Sequence, residues 1–366
     1  MDIFLSGKDS LRLTRLARTT GDFVLQPAGL AHRTAHTGPI SPAELRAALP
    51  QEIASFDAAT PIELTYFSRG TRSESREVWA RTLLIDLPTN AFLEVERASG
   101  LPWGWGGTET YRIYVESAAL STLRMSQFLL RQMAAGTIEA GAASAQLISF
   151  VMELCGSYAR DPLCRAGDGC AYGLEPLAST REVLDFVASL RDVRGIRLAR
   201  QAAALAVGGS GSPAETMIAL LFKLPPEQGG VGLPDFVMNE PIEWPDDVID
   251  LLDHEQMRPD IYWPRHRVAF EYEGHTHAGT DAYEEDRSRV RDYQLCGITV
   301  IPATKKNVRN LRATGDLIAL VAHALAATDG PGLERRVRDL LVDTEASHAR
   351  AALMEQLRGP LTDMHS

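Results

Sequence analysis

The chain has 366 residues, 45% hydrophobic and 23% charged, with a formal net charge of -11 and four cysteines. This length favours two domains over one and supplies a sizeable core without staples. The negative balance excludes a protein that coats nucleic acid over its whole surface, because non-specific affinity for phosphate comes from Lys and Arg. Any nucleic-acid contact must then be local. Four cysteines are too few for a disulfide framework, which fits a reducing compartment. No run of about 18 or more apolar residues occurs, and the start lacks the basic-then-apolar order of a signal peptide. The expectation is a cytoplasmic protein with no membrane partner.

In chain order, a helical period marks 119–133, 143–154, 181–190 and 196–206, and β-type alternation marks 78–86, 91–96 and 111–116. Between these, Leu101-Pro-Trp-Gly-Trp-Gly-Gly reads as an exposed aromatic loop. Cys155, Cys164 and Cys170 lie close together, but a structural zinc site shows paired short spacings and a clear fourth ligand, so buried or loop thiols are the better reading. No chemically specific constellation stands out before residue 207. The helices between 119 and 206 offer a surface for a partner protein and nothing more definite.

The clearest break is Gly208-Gly209-Ser210-Gly211-Ser212-Pro213, a flexible stretch between helical patterns. It divides the chain into a mostly helical α+β N-terminal domain at 1–207, an α/β domain at 212–328 and a helical tail at 329–366. Directly after it, Ser212-Pro213-Ala214-Glu215 reads as a capping box with Ser as N-cap, Pro at the first helical position and Glu three residues on. That helix runs to about residue 224, where Pro225-Pro226 and the following glycines end it. Strands at 236–244, 258–263 and 267–273, a helix at 281–296, a strand at 298–303 and a helix at 311–326 complete the order.

Two of these strands carry acids. Paired as a hairpin about Arg265 and His266, they oppose Asp260 to Glu271, with Cβ atoms ~4.5–5.5 Å apart. Alternation sets Asp260, Ala269, Glu271 and Glu273 on one face, and Ile261, Trp263, Val268, Phe270 and Tyr272 on the other, a core face. Like charges directly opposed are destabilising. Two remedies are open: a hard divalent cation that takes carboxylate oxygens and leaves positions for phosphate, or hydration at a solvent-facing edge. Arg287, Arg289, Arg291, Lys305, Lys306, Arg309 and Arg312 then follow against few acids, a run that is ordinarily a solvated helix face.

Arg258-Pro-Asp260, followed by Glu271-Tyr-Glu273-Gly274-His-Thr-His277, resembles the PD-(D/E)xK nuclease superfamily. More closely, it is similar to the restriction-endonuclease-like domains related to very-short-patch repair endonucleases, found also beside AbiEi-type abortive-infection antitoxins. In that family an acid-x-acid-Gly-x-x-His pattern precedes a basic helix with Asp-Arg and a short strand led by Gly. Here those features are Asp286-Arg287, Arg291-Asp292 and Gly297-Ile-Thr-Val-Ile301. The resemblance covers about 90 residues, from Glu215 to near Val308, and implies a mixed sheet flanked by helices. Gly229-Gly-Val-Gly-Leu-Pro234 and Glu153-Leu-Cys-Gly-Ser-Tyr158 also resemble parts of longer bacterial chains with this domain, and imply no activity.

The resemblance implies metal-dependent hydrolysis of DNA phosphodiester bonds, in defence or repair. Asp260 and Glu271 would hold Mg²⁺ or Mn²⁺, and Glu273 would complete the shell or orient water. One departure matters: Glu273 stands where the superfamily carries lysine, which passes proton handling to His277, whose free pKa is ~6.5. An exposed loop imidazole remains open for His277 and is the better reading for His275. Glu215 is a fourth metal candidate, because an acid on the first helix assists in some relatives, although its capping position already accounts for it. Arg287, Arg291, Lys305 and Lys306 would contact phosphates; Asp286 fits an ion pair better. No small-molecule cofactor is implied. The alternative is a catalytically degenerate nuclease fold that binds DNA or a protein partner in a toxin-antitoxin or abortive-infection system, favoured by the missing lysine and the negative charge.

Overall fold

The computed structural model describes residues 1–29, 39–73, 75–103, 111–160, 169–273 and 280–358, and gives a mixed α/β protein with several helices and small sheets. The chain divides into two compact units, one built from Met1–Glu139 and Tyr158–Ala204, the other from Ala140–Ser157 and Leu205–Leu361.

The first unit opens with β1 (Asp2–Phe4), α1 (Gly7–Thr20), β2 (Phe23–Pro27), α2 (Pro42–Ala48), β3 (Ile62–Tyr66), β4 (Val78–Thr82), β5 (Phe92–Arg97), β6 (Arg112–Glu116) and α3 (Ala118–Ala134). The next helix, α4 (Ala140–Leu154), belongs to the second unit; β7 (Tyr158–Arg160), β8 (Cys170–Tyr172), α5 (Thr180–Ser189) and α6 (Ile196–Leu205) return to the first. One sheet runs β1-β6-β5-β2 with β1 parallel to β6, and β3 and β4 form a separate parallel pair. Leu5, Leu64, Ile113 and Val115 lie at the centre of the core between them. α3 begins at Ser117, whose hydroxyl accepts the Leu120 N–H and satisfies one free donor of the first turn.

Trp103 corrects the reading of an exposed aromatic loop. Its indole is buried, stacks on Phe23 with centroids 5.7 Å apart and donates Nε1–H to the Val95 carbonyl at 2.7 Å. A large apolar ring whose single donor finds a backbone acceptor is more stable inside than out. Trp105 and Cys164 lie outside the described residues; Cys155 and Cys296 are buried and Cys170 is half-buried.

In the second unit, α7 (Pro213–Lys223) is followed by β9 (Ile261–Trp263), β10 (Val268–Glu273), α8 (Thr280–Leu295), β11 (Thr299–Thr304), α9 (Leu311–Asp329), α10 (Pro331–Val342) and α11 (Thr344–Arg358). The sheet order is β11-β10-β9, with β10 antiparallel to β9 and parallel to β11, so α8 serves as the crossover a parallel pair requires. α4 packs on α7 and on α11, which places the expected tail within this unit.

The Gly-rich break is anchored, not a flexible tether: Gly209 N donates to Cys155 O at 2.9 Å and Ser157 N to Ser210 O at 2.8 Å. Gly209 has φ 85, and a Cβ there would lie 2.3 Å from Met238 O, so only glycine fits. The strand expected at 236–244 is not formed. Pro241 and Pro245 have no N–H to give and Asn239 takes φ 52, leaving one isolated bridge, Val237 to Tyr262.

α9 alone among the described helices has the length and apolarity to cross a membrane, at the margin, with a mean hydropathy of 1.2. A third of that span is buried, including Leu317, Ile318, Val321, Ala322 and Leu325, and the helix packs on α10 and β11.

Candidate metal-binding carboxylate cluster

Both faces of β10 are covered. Phe270 and Trp263 meet Phe222 of α7, with ring centroids 5.5 and 5.7 Å away. On the opposite face Ala269 shares a core with Met257, Tyr293, Cys296 and Ile298. Alternation carries Glu271 to the side of Ala269, so the acid face is roofed by α8 and is not a solvent-facing edge.

The hairpin has the anticipated register: Trp263 pairs with Val268, Tyr262 with Ala269 and Ile261 with Phe270, which brings Asp260 opposite Glu271 one step further. The turn is wider than expected. It spans Pro264 to Arg267, closed by His266 N donating to Trp263 O at 3.1 Å, with Arg267 at φ 51. His266 Nε2 lies 2.9 Å from Asp329 Oδ2, which ties the turn to the end of α9.

Three acids from three elements share one electrostatic field. Asp260 Oδ2 accepts the Tyr272 N–H at 2.6 Å. Glu271 Oε1 accepts Arg289 Nη2 at 2.7 Å and the Tyr293 hydroxyl at 2.5 Å. Arg289 and Tyr293 stand one turn apart on α8 and so present one face. Glu215 Oε2 accepts Gly211 N at 2.7 Å and Asn239 Nδ2 at 2.8 Å. The capping box is therefore only half made. Ser212 accepts the Glu215 N–H, but the Glu215 carboxylate turns to Gly211 and Asn239 instead of returning to the Ser212 N–H.

Burial, then Glu215 and Glu271, pushes the Asp260 carboxyl up to about 8, while Arg289 pulls it down more weakly. Burial also raises Glu215, with Glu271 adding to it against the Gly211, Asn239 and Ser212 hydrogen bonds. The Tyr293 hydroxyl is raised by burial and by Glu271. Among the described residues, no group donates to Asp260 Oδ1 or Glu271 Oε2. Also among them, no group of three or more His, Cys, Asp or Glu side chains is placed to hold a metal ion. The donor chemistry nevertheless suits a hard cation: carboxylate oxygens, two of them unengaged, where proximity of like charges already costs free energy.

Glu273 sits apart, exposed at the end of β10, opposite Thr304 of β11. Lys305 and Lys306 are exposed and follow Thr304 directly, at the same end of the sheet as Glu273. Arg287 is exposed and engaged within the chain. Arg291 is bound 2.6 Å from Asp253, and Asp292 is buried, accepting the His254 and Asp253 N–H groups at 3.0 Å. His275 and His277 lie outside the described residues, as does the Asp286 side chain.

Asn239 and Tyr293 carried no sequence expectation, and Arg289 entered only as one member of the basic run, without a role at the acids. The turn spacing of Arg289 and Tyr293 was available as a signal. Asn239 carried none beyond the tolerance of asparagine for positive φ. Compared with protein-family models, curated proteins and solved structures, the chain matches none.

Proposed function

We propose that the second unit is the catalytic domain of a Mg²⁺- or Mn²⁺-dependent nuclease that hydrolyses phosphodiester bonds of DNA, on a restriction-endonuclease-like fold. The observation that supports this most is the shared field of Glu215, Asp260 and Glu271, in which an aspartate is held protonated to about 8 while one of its oxygens accepts no hydrogen bond. An antiparallel hairpin that crosses through a helix to a parallel third strand, with acids on the middle strand, is compatible with the fold.

Asp260 and Glu271 would hold the ion, with Glu215 beside them. Bound there, it would polarise a scissile phosphate and lower the pKa of a bound water. Arg289 and Tyr293 orient Glu271, and Gly211 N–H with Asn239 orients Glu215. Lys305 and Lys306 would meet DNA phosphates at the acidic end of the sheet. Glu273 would orient water, and His277 would handle the proton. A cytoplasmic place in defence or repair fits this reading.

One observation favours the second reading, a nuclease fold that binds DNA or a protein partner without cutting. Arg289 already gives Glu271 a cation, so part of the site's charge is neutralised without metal. Purified full-length protein with Mg²⁺ or Mn²⁺ should nick or cut DNA, and Glu271→Ala should abolish the activity. Unchanged cutting by that variant rejects the catalytic assignment; metal-independent DNA binding without cleavage selects the second reading.

A further inference from the structure

The first unit gathers guanidinium groups in one place. Thr65 of β3 and Arg81 of β4 are register partners, so their side chains leave the same face of that pair. Arg124 of α3 reaches Thr65 Oγ1 through Nη2 at 3.4 Å. One face of α3 repeats at 124, 127 and 131, and Gln127 on it donates Nε2–H to the Arg194 carbonyl at 3.1 Å. Arg194 is held there by its neighbour Gly195, which has φ 86; a Cβ there would come within 2.5 Å of Ser126 Oγ. Arg124 and Arg131 therefore share one side of α3, Arg81 faces that side from β4, and the Arg194 backbone is held against it by Gln127.

Their carboxylate partners are fewer and deeper. Arg81 lies 2.6 Å from Glu63 and Arg124 2.8 Å from Glu116, both acids buried. Arg131, half-buried, and Arg194, exposed, form no ion pair with a described residue. Burial and then the repulsion of Arg81 lower the Arg131 guanidinium; Glu63 opposes them, and Arg194 and Arg124 add smaller repulsions. Trp79 shares the face of Arg81 on β4, and the Arg81 guanidinium carbon stands 4.8 Å from its ring centroid.

We propose that this patch is a binding site for a phosphate group, with Arg131 and Arg194 making the contacts and Arg81 and Arg124 held behind them by Glu63 and Glu116. Guanidinium forks match phosphate oxygens in pairs, and a local excess of positive charge in a chain of net charge -11 concentrates anions there. The phosphate can belong to a free phosphorylated small molecule or to a nucleic-acid backbone. The site is independent of the nuclease reading of the second unit.

The full chain should bind pyrophosphate by calorimetry, a fluorescein-labelled single-stranded oligonucleotide by anisotropy at low salt, or both. Arg131→Gln with Arg194→Gln should weaken whichever is bound by roughly tenfold or more, and Arg194→Gln alone, at an exposed side chain, should weaken it several-fold. Loss confined to pyrophosphate assigns a small phosphorylated ligand; loss of oligonucleotide binding with a shallower salt dependence assigns a backbone. Binding unchanged in Arg194→Gln and in the double variant, or no binding of either probe by the wild type, overturns the proposal. Circular dichroism separates these outcomes from misfolding, and the single variant decides if the double does not fold.

Discussion

The backbone N–H of Tyr272 reaches across the hairpin to Asp260 Oδ2 at 2.6 Å, one step beyond the last cross-strand pair, Ile261 with Phe270. That bond favours the ionised carboxyl, yet burial, Glu215 and Glu271 outweigh it and leave Asp260 at about 8. The folded chain therefore holds this proton more tightly than the unfolded chain, in which aspartate titrates near ~3.9. Its contribution to stability is complete below about pH 4 and is lost as pH rises towards 8. Metal-free protein should melt at a lower temperature at pH 8 than at pH 6, and Asp260→Asn should flatten that slope. Asp9 in the first unit, raised to about 6 by burial, gives its main change at lower pH. A slope identical in the variant would mean that Asp260 is not coupled to folding.

A divalent cation competes with the same proton. Mn²⁺ should raise the melting temperature more at pH 8 than at pH 6, and Asp260→Asn should lose most of the increment. An equal increment at both pH values would place the ion elsewhere.

Tyr293→Phe removes a buried hydroxyl from Glu271 while leaving Arg289 in place. A hydrogen bond to a charged acceptor contributes about 1.5–3 kcal/mol, and urea unfolding should show a loss of that order, with slower DNA cutting. An unaltered midpoint would show that Arg289 alone holds the carboxylate.

At Gly209→Ala, a Cβ would meet the Met238 carbonyl at 2.3 Å on a backbone with φ 85. The strain and the displacement of the anchored segment should cost on the order of 2 kcal/mol or more, read as a fall in denaturant midpoint. A neutral result would mean that the segment is a tether after all.

The hairpin register was legible because period-two alternation from Trp263 to Glu271 admits only one pairing that buries the aromatic side chains. The roof over the acids was not, since the hairpin puts only Ala269 and the amphipathic Tyr262 beside them on that face, and neither signals burial by itself. Glu215 shows the limit of a local rule: the box pattern is satisfied in the letters, but a carboxylate within reach of Gly211 N–H and Asn239 makes a bond outside it. Trp103 failed for a similar reason, because its hydrogen bond goes to Val95, a residue on another strand. The mixture of helices and small sheets followed from periodicity, whereas the transfer of α4 to the second unit depends on tertiary contacts that no window along the chain contains.

That transfer has a consequence for how the protein is made. α4 is buried on almost every side, through Leu147, Ile148, Phe150, Val151, Met152 and Leu154, and it leaves the ribosome before α7 and long before α11, the helices it packs on. Through the synthesis of all that lies between, these side chains stay wet and available to a chaperone or to a neighbouring nascent chain. A fragment begun at Leu205 would meet the mirror problem, with α7 and α11 facing a groove whose filler was never translated.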